Sequence, residues 1–163
     1  ELFKRRDSQP VSAEWQERLE ALARKLGVHR AVTLLESSRI DVPSAMGILK
    51  ATVIVPCSAL TGLPYADVES LLAHELAHIR RHDYLVNLMQ AVLETTLFYH
   101  PAVWWTSKVI RTEREHCCDD IAVRATGNAL IYARALTSLE ERRALPCLGR
   151  GILVFEGCEF DRQ

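Results

Sequence analysis

Apolar positions recur at helical spacing near the start of the chain. Trp15, Leu19, Leu22, Ala23 and Leu26 form one stripe, with Ser12 placed to cap it and Gly27 to stop it, which predicts a helix from about 12 to 26. The pattern then shortens. "RAVTLLES", residues 30–37, is rich in β-formers and predicts a strand. "SAMGILKATVIVPCSAL", residues 44–60, predicts a second, roughly Met46 to Val55, ending at Pro56. Lys50 falls in the middle of that run, which fits an edge strand better than a central one.

After "TGLP" the helical period returns. Asp67 and Glu69 occupy the first turn of a helix expected to reach about His82, where their charge suits the positive end of the helix dipole. A second helix is expected over Leu85–Phe98. His100-Pro101 opens a third, running through Trp104, Trp105, Ile110 and Ile121 to Gly127, and an amphipathic helix follows over Leu130–Arg143. Strands followed by helices place the chain in the α+β class, with a small mixed or antiparallel sheet packed on a helical half.

The 163 residues are enough for one domain with a real core, and a net charge of −1 argues against direct binding of nucleic acid. The five cysteines include no CxxC pair, and Cys117 and Cys118 are adjacent. They read as small buried hydrophobes in a reducing compartment. The chain starts at Glu1 with neither an initiator methionine nor a signal peptide, as expected of a piece of a longer protein that is soluble by itself. "KRRDSQP" within residues 1–10 reads as a flexible lead-in. From Tyr84 to Ser107 the only formal charge is Glu94, nearly a membrane span in length. Asn87, Gln90, His100 and Pro101 interrupt it. The stretch reads as two core helices, with a membrane-contacting face as the alternative.

The chemistry concentrates in "LLAHELAHIRRHD", residues 71–83. On a helix, His74 and His78 lie one turn apart on one face and can present two imidazole nitrogens to one metal ion. Glu75 lies about 100° around the helix from His74 and about 60° from His78, beside such a metal rather than on it. Catalytic zinc needs three protein ligands, an open position for water and a nearby base, and HExxH supplies two ligands and the base within five residues. In a chain of this composition the motif arises by accident at a rate of roughly 2%, so a solvated helix face carrying two idle histidines is disfavoured. A structural zinc site is the other alternative. It has no use for Glu75, although Cys117 or Cys118 could complete it.

The third ligand should come from "RTEREHCCDD", where Glu113, Glu115, Cys117, Cys118, Asp119 and Asp120 compete. A hydrolytic site with two histidines is commonly completed by a carboxylate, which disfavours the thiols. Glu115 and Asp119 share one helix face, and Glu113 lies about 200° around from Glu115. Apolar periodicity does not choose between these faces.

Together, "LLAHELAHIRRHDYLVNLMQAVLETTLFYHPAVWW" and "RTEREHCCDDIAV" resemble the zinc-peptidase domain of BlaR/MecR-type sensor-transducers, membrane-bound bacterial metallopeptidases of the gluzincin group. The likeness covers most of the chain, from "LLESSRIDVPSAMGILKATVIVPCSALTGLP" to about Glu141. It implies a zincin-like fold and one catalytic Zn2+ held by His74, His78 and Glu115. Glu75 would be the general base, and Asp119 would support the site through a ligand histidine. It also implies a protein or peptide substrate, either the protein itself or a DNA-binding repressor, and a place on the cytoplasmic side of the bacterial inner membrane. The membrane would be reached through flanking segments that this chain lacks. On this reading residues 11–145 are the zinc metallopeptidase domain, and 146–163 are a tail of unknown role that matches nothing expected of the family. The alternative function is a zinc-binding signalling module with little or no turnover, which would not require Glu75.

Other residues carry weaker expectations. Asp83 is expected to pair with Arg111 or Arg114. His82 and His116 are expected near the surface or behind the ligands, and Trp104 and Trp105 in core or membrane-interface packing. Tyr132, His116 and Arg111 are unranked candidates for stabilising an oxyanion. The exposed strand around Ile48–Val55 could accept an extended substrate.

Overall fold

The computed structural model describes residues 8–47 and 50–153, with side chains placed as far as Glu141. The element order is β1 (Gln9–Pro10), α1 (Ala13–Lys25), β2 (Val32–Ser37), β3 (Ser44–Met46), β4 (Ala51–Pro56), α2 (Cys57–Gly62), α3 (Tyr65–Arg81), α4 (Asp83–Thr96), α5 (Pro101–Thr126) and α6 (Ala129–Leu153). A four-stranded mixed sheet in the order β1-β2-β4-β3 lies against the helices, so the chain is α+β as its pattern predicts.

Two strand expectations change. The run from Met46 to Val55 is not one strand but the two arms of a hairpin, in which Ala45 pairs with Val53 and Met46 with Thr52. The reason is Gly47, at φ 102°, where an added Cβ would lie 2.0 Å from the Lys50 carbonyl oxygen. Only glycine fits that turn, and a run of flanking β-formers conceals it. Lys50 therefore sits in the connection, outside the strands. β4 is not an edge strand either. It is paired with β2 in parallel and β3 in antiparallel, and all six of its residues are buried. That accounts for its apolar sequence, in which Thr52 is the one polar residue. The sheet's edges are β1 and β3.

Beneath the sheet runs α3, buried around most of its circumference through Val68, Leu71, Leu72, Ala73, Leu76, Ala77 and Ile79. It packs on β3, β4, α1, α4, α5 and α6. α1 covers β2, and the Gln16 side-chain amide fastens the two by donating to the Val32 carbonyl and accepting from the Leu34 amide, both at 2.9 Å. At the other end Asp67, 1% exposed, takes a bidentate pair from Arg134 of α6 at 2.6 and 3.1 Å. A buried carboxylate at this depth needs such a partner. α3 ends at His82, whose left-handed backbone (φ 57°) turns the chain directly into α4.

As expected, Gly27 and Gly127 have positive φ just past α1 and α5. His100 caps α5, its Nδ1 accepting from the Ala102 amide at 3.3 Å. The expectation of two core helices over Tyr84–Ser107 fails. Within that stretch only Gln90 and Ser107 are buried, and Trp104 and Trp105 are 52% and 69% exposed. Gln9 and Pro10, at the end of the expected lead-in, pair with Glu36 and Leu35 of β2. The backbone of α6 continues to Leu153, into the segment read as a tail, and residues 154–163 lie outside the described part.

Candidate metal centre

Two helices build the site. α3 contributes His74, Glu75 and His78, and α5 crosses it with Glu115, Cys118 and Asp119. The Nε2 atoms of His74 and His78 are 3.0 Å apart, and Glu115 Oε2 lies 3.5 and 3.6 Å from them. These three atoms could hold one metal ion. At zinc–ligand lengths of 2.0–2.1 Å, tetrahedral geometry separates ligand atoms by about 3.3 Å, so the donor set and its spacing both fit zinc. Glu113 is exposed on α5 and belongs to no such group among the described residues.

Both histidines are held from behind. His74 Nδ1 is 3.0 Å from Asp119 Oδ1 and 2.9 Å from the Tyr132 hydroxyl, which itself donates to Asp119. His78 Nδ1 is 2.7 Å from Asp83 Oδ2, and Cys118 Sγ lies 3.4 Å from the same ring nitrogen and 3.6 Å from the same carboxylate. A ring nitrogen that donates to a carboxylate leaves the other ring nitrogen free to ligate.

Asp83 therefore departs from its expected pairing. Arg111 engages Glu94 instead. Arg114 is buried and donates to the Asp83 backbone carbonyl and to Asn87 Oδ1, at 3.3 and 2.6 Å, leaving the Asp83 side chain for His78 and, at 3.6 Å, for Arg81 Nε. The left-handed turn at His82 aims Asp83 back at the helix that precedes it, and helical spacing does not foretell such a reversal. Cys118, a candidate third ligand in the sequence, lies on the Nδ1 side of His78 instead, and nothing in the sequence distinguishes it from Cys117. Cys57 and Cys117 are only half-buried, so of the three described thiols Cys118 alone behaves as a core residue.

Burial dominates the electrostatics. It pushes the Glu75 carboxyl up to about 7 and Glu115 adds to the rise, while His78 and the Ala45 backbone amide act in the opposite sense. A carboxylate poised near neutrality suits a general base. Burial and the neighbouring His78 lower His74, against Asp119 and Glu115, which favours its neutral form. Burial lifts the Cys118 thiol to about 12, with Asp83 contributing, so the thiol keeps its proton. Tyr132 is raised by burial and by Asp119.

A cleft of about 670 Å³ opens over His74, Glu75, His78 and Glu115, walled on one side by Ser44–Gly47 of the β3 edge and on the other by Tyr84, Asn87 and Leu88 of α4. None of the three expected oxyanion candidates lines it. Tyr132 is on the Nδ1 side of His74, away from the metal-facing nitrogen. His116 is exposed on α5, and Arg111 is paired with Glu94.

The chain matches the model of the BlaR1 peptidase M56 family over residues 1–148, and it belongs to that family. It is similar to the regulatory protein BlaR1 of Bacillus licheniformis, 32% identical over 91 residues, which are 56% of this chain and 15% of that protein. The methicillin resistance mecR1 proteins of Staphylococcus aureus and Staphylococcus epidermidis are 26% identical over 109 residues, 66% of this chain and 19% of each relative. The chain thus spans less than a fifth of the length of these relatives. It carries the peptidase domain of a family of bacterial signal transducers.

Proposed function

We propose that this chain is a zinc-dependent endopeptidase domain in which His74, His78 and Glu115 hold the metal and Glu75 is the base. The observation that carries this is the convergence of two imidazole Nε2 atoms and one carboxylate oxygen within 3.6 Å of one another, beside a buried carboxyl, on the floor of an open cleft. Zinc bound there supplies Lewis acidity to the scissile carbonyl and to the attacking water. Glu75, beside the two histidines, is placed to take a proton from the attacking water and pass it to the leaving amine. Asp83 and Asp119 hold the two rings in the tautomer and orientation that ligation needs.

The substrate is a polypeptide in extended form. Of the expected docking strand around Ile48–Val55, residues 51–55 are enclosed by their neighbours and residues 48 and 49 lie outside the described part, and the edge that faces the cleft is Ser44–Met46. An edge strand beside the metal-binding residues suits strand addition. In the whole protein the substrate would be the protein itself or a DNA-binding repressor, cleaved on the cytoplasmic side of the inner membrane.

The test is to load the purified chain with one equivalent of zinc and follow self-cleavage, and cleavage of an unstructured protein, with and without chelator. Chelator-sensitive cleavage that Glu75→Gln abolishes is expected. Stoichiometric zinc without cleavage would favour a metal-organised interaction module instead.

A further inference from the structure

The hairpin of α4 and α5 stands out from the body of the molecule. From Ala91 to Thr106 no residue is buried. Val92, Leu93, Phe98, Tyr99, Trp104 and Trp105 are 58%, 49%, 67%, 69%, 52% and 69% exposed. The only charged side chain in that stretch is Glu94, and Arg111 neutralises it. Apart from that paired charge the tip is uncharged.

Composition narrows the occupant. Thr95, Thr96, His100 and Thr106 are the other polar side chains of the tip, and an exposed, aromatic-rich surface with so little charge suits the boundary of a bilayer. The described core of this chain does not enclose it. No described helix is long and apolar enough to cross a membrane, so a span is the wrong geometry for it. Two tryptophans and a tyrosine at the tip have the amphipathic rings that settle at headgroup level. The charge nearest the tip on α5 is then Lys108, exposed, of the sign that an anionic leaflet attracts.

We infer that the tip of the α4–α5 hairpin, residues 91–106, inserts into one leaflet of an anionic bilayer, to the 5–10 Å typical of interfacial helices. Glu115 lies fourteen residues beyond Pro101 on the same helix, about 20 Å along its axis. The metal centre would then face peptide bonds close to the membrane surface. This placement does not depend on whether the site turns over.

The experiment uses the 163-residue chain carrying Trp15→Phe, so that Trp104 and Trp105 are the only indole reporters. Vesicles of phosphatidylcholine mixed with phosphatidylglycerol should shift their emission to the blue, and brominated acyl chains should quench it. Replacing Trp104 and Trp105 with serine should weaken co-sedimentation on the order of tenfold or more. Lys108→Glu should weaken binding to the anionic vesicles alone. Leu130→Ser, at an 80% exposed position on α6, should bind as the parent does. Emission unchanged by vesicles would overturn the inference. So would equal binding by the double serine variant, or a dimer in sedimentation velocity that this variant dissolves while vesicles bind neither form. The last outcome would assign the face to a second copy of the chain.

Discussion

Asp83 Oδ2 lies 2.7 Å from His78 Nδ1, on the edge of the ring opposite the nitrogen that faces Glu115. With Asp119 on His74, each histidine has its own carboxylate, one from α4 and one from α5. Asp83→Ala should therefore lower zinc affinity by about 10–100-fold while leaving the far-UV spectrum unchanged. Competition against a chromophoric chelator measures it. Unaltered affinity would remove Asp83 from the site.

Glu75 is not one of the three residues whose ligand atoms converge, and the amide of Ala45 reaches its carboxylate. Glu75→Gln should bind one zinc and melt close to the parent, yet lose proteolysis. Full activity in that variant would sink the mechanism. His74→Ala should instead lose zinc and stability together, because metal binding adds to the free energy of the folded state.

Glu115 and Glu113 differ by two positions and face different ways, Glu115 toward the histidines and Glu113 toward solvent. Metal analysis after dialysis should find Glu115→Ala depleted of zinc and Glu113→Ala fully loaded. The reverse pattern would make the ligand assignment wrong.

The Tyr132 hydroxyl bridges His74 and Asp119 with the ring buried among core residues. Tyr132→Phe keeps the packing and deletes the bridge. Stability should fall by about 1 kcal/mol, read from chemical denaturation of the metal-free chain. Zinc affinity should fall less than in Asp119→Ala, since the carboxylate still holds the ring.

Gly47 makes the sharp turn that brings Ala45 over Glu75. Gly47→Ala forces a Cβ into a left-handed position against a carbonyl, at a cost of more than about 1 kcal/mol. The β3 edge should shift. Activity on an extended peptide should drop while zinc stoichiometry holds, and loss of zinc with unchanged activity per bound metal would contradict this placement of the edge.

Much of this was present in local pattern. HExxH needs one helix, and Glu115 and Asp119 need one more, so a period of 3.6 places each set on a face and the family resemblance pairs the faces. Helix ends at Gly27, His100 and Gly127 follow from backbone rules that act within a few residues. What the tertiary structure decided is whatever depends on a reversal of the chain or on neighbours distant in sequence. One glycine divides an apparent strand and moves the exposed edge from β4 to β3. A left-handed histidine swings Asp83 onto His78. Cys118 and Tyr132 join the site only because α5 and α6 cross α3 where its two histidines emerge. Burial of α4 was misjudged for the same reason. An apolar sequence states that a surface must leave water, and only the assembled fold shows whether protein or something else covers it.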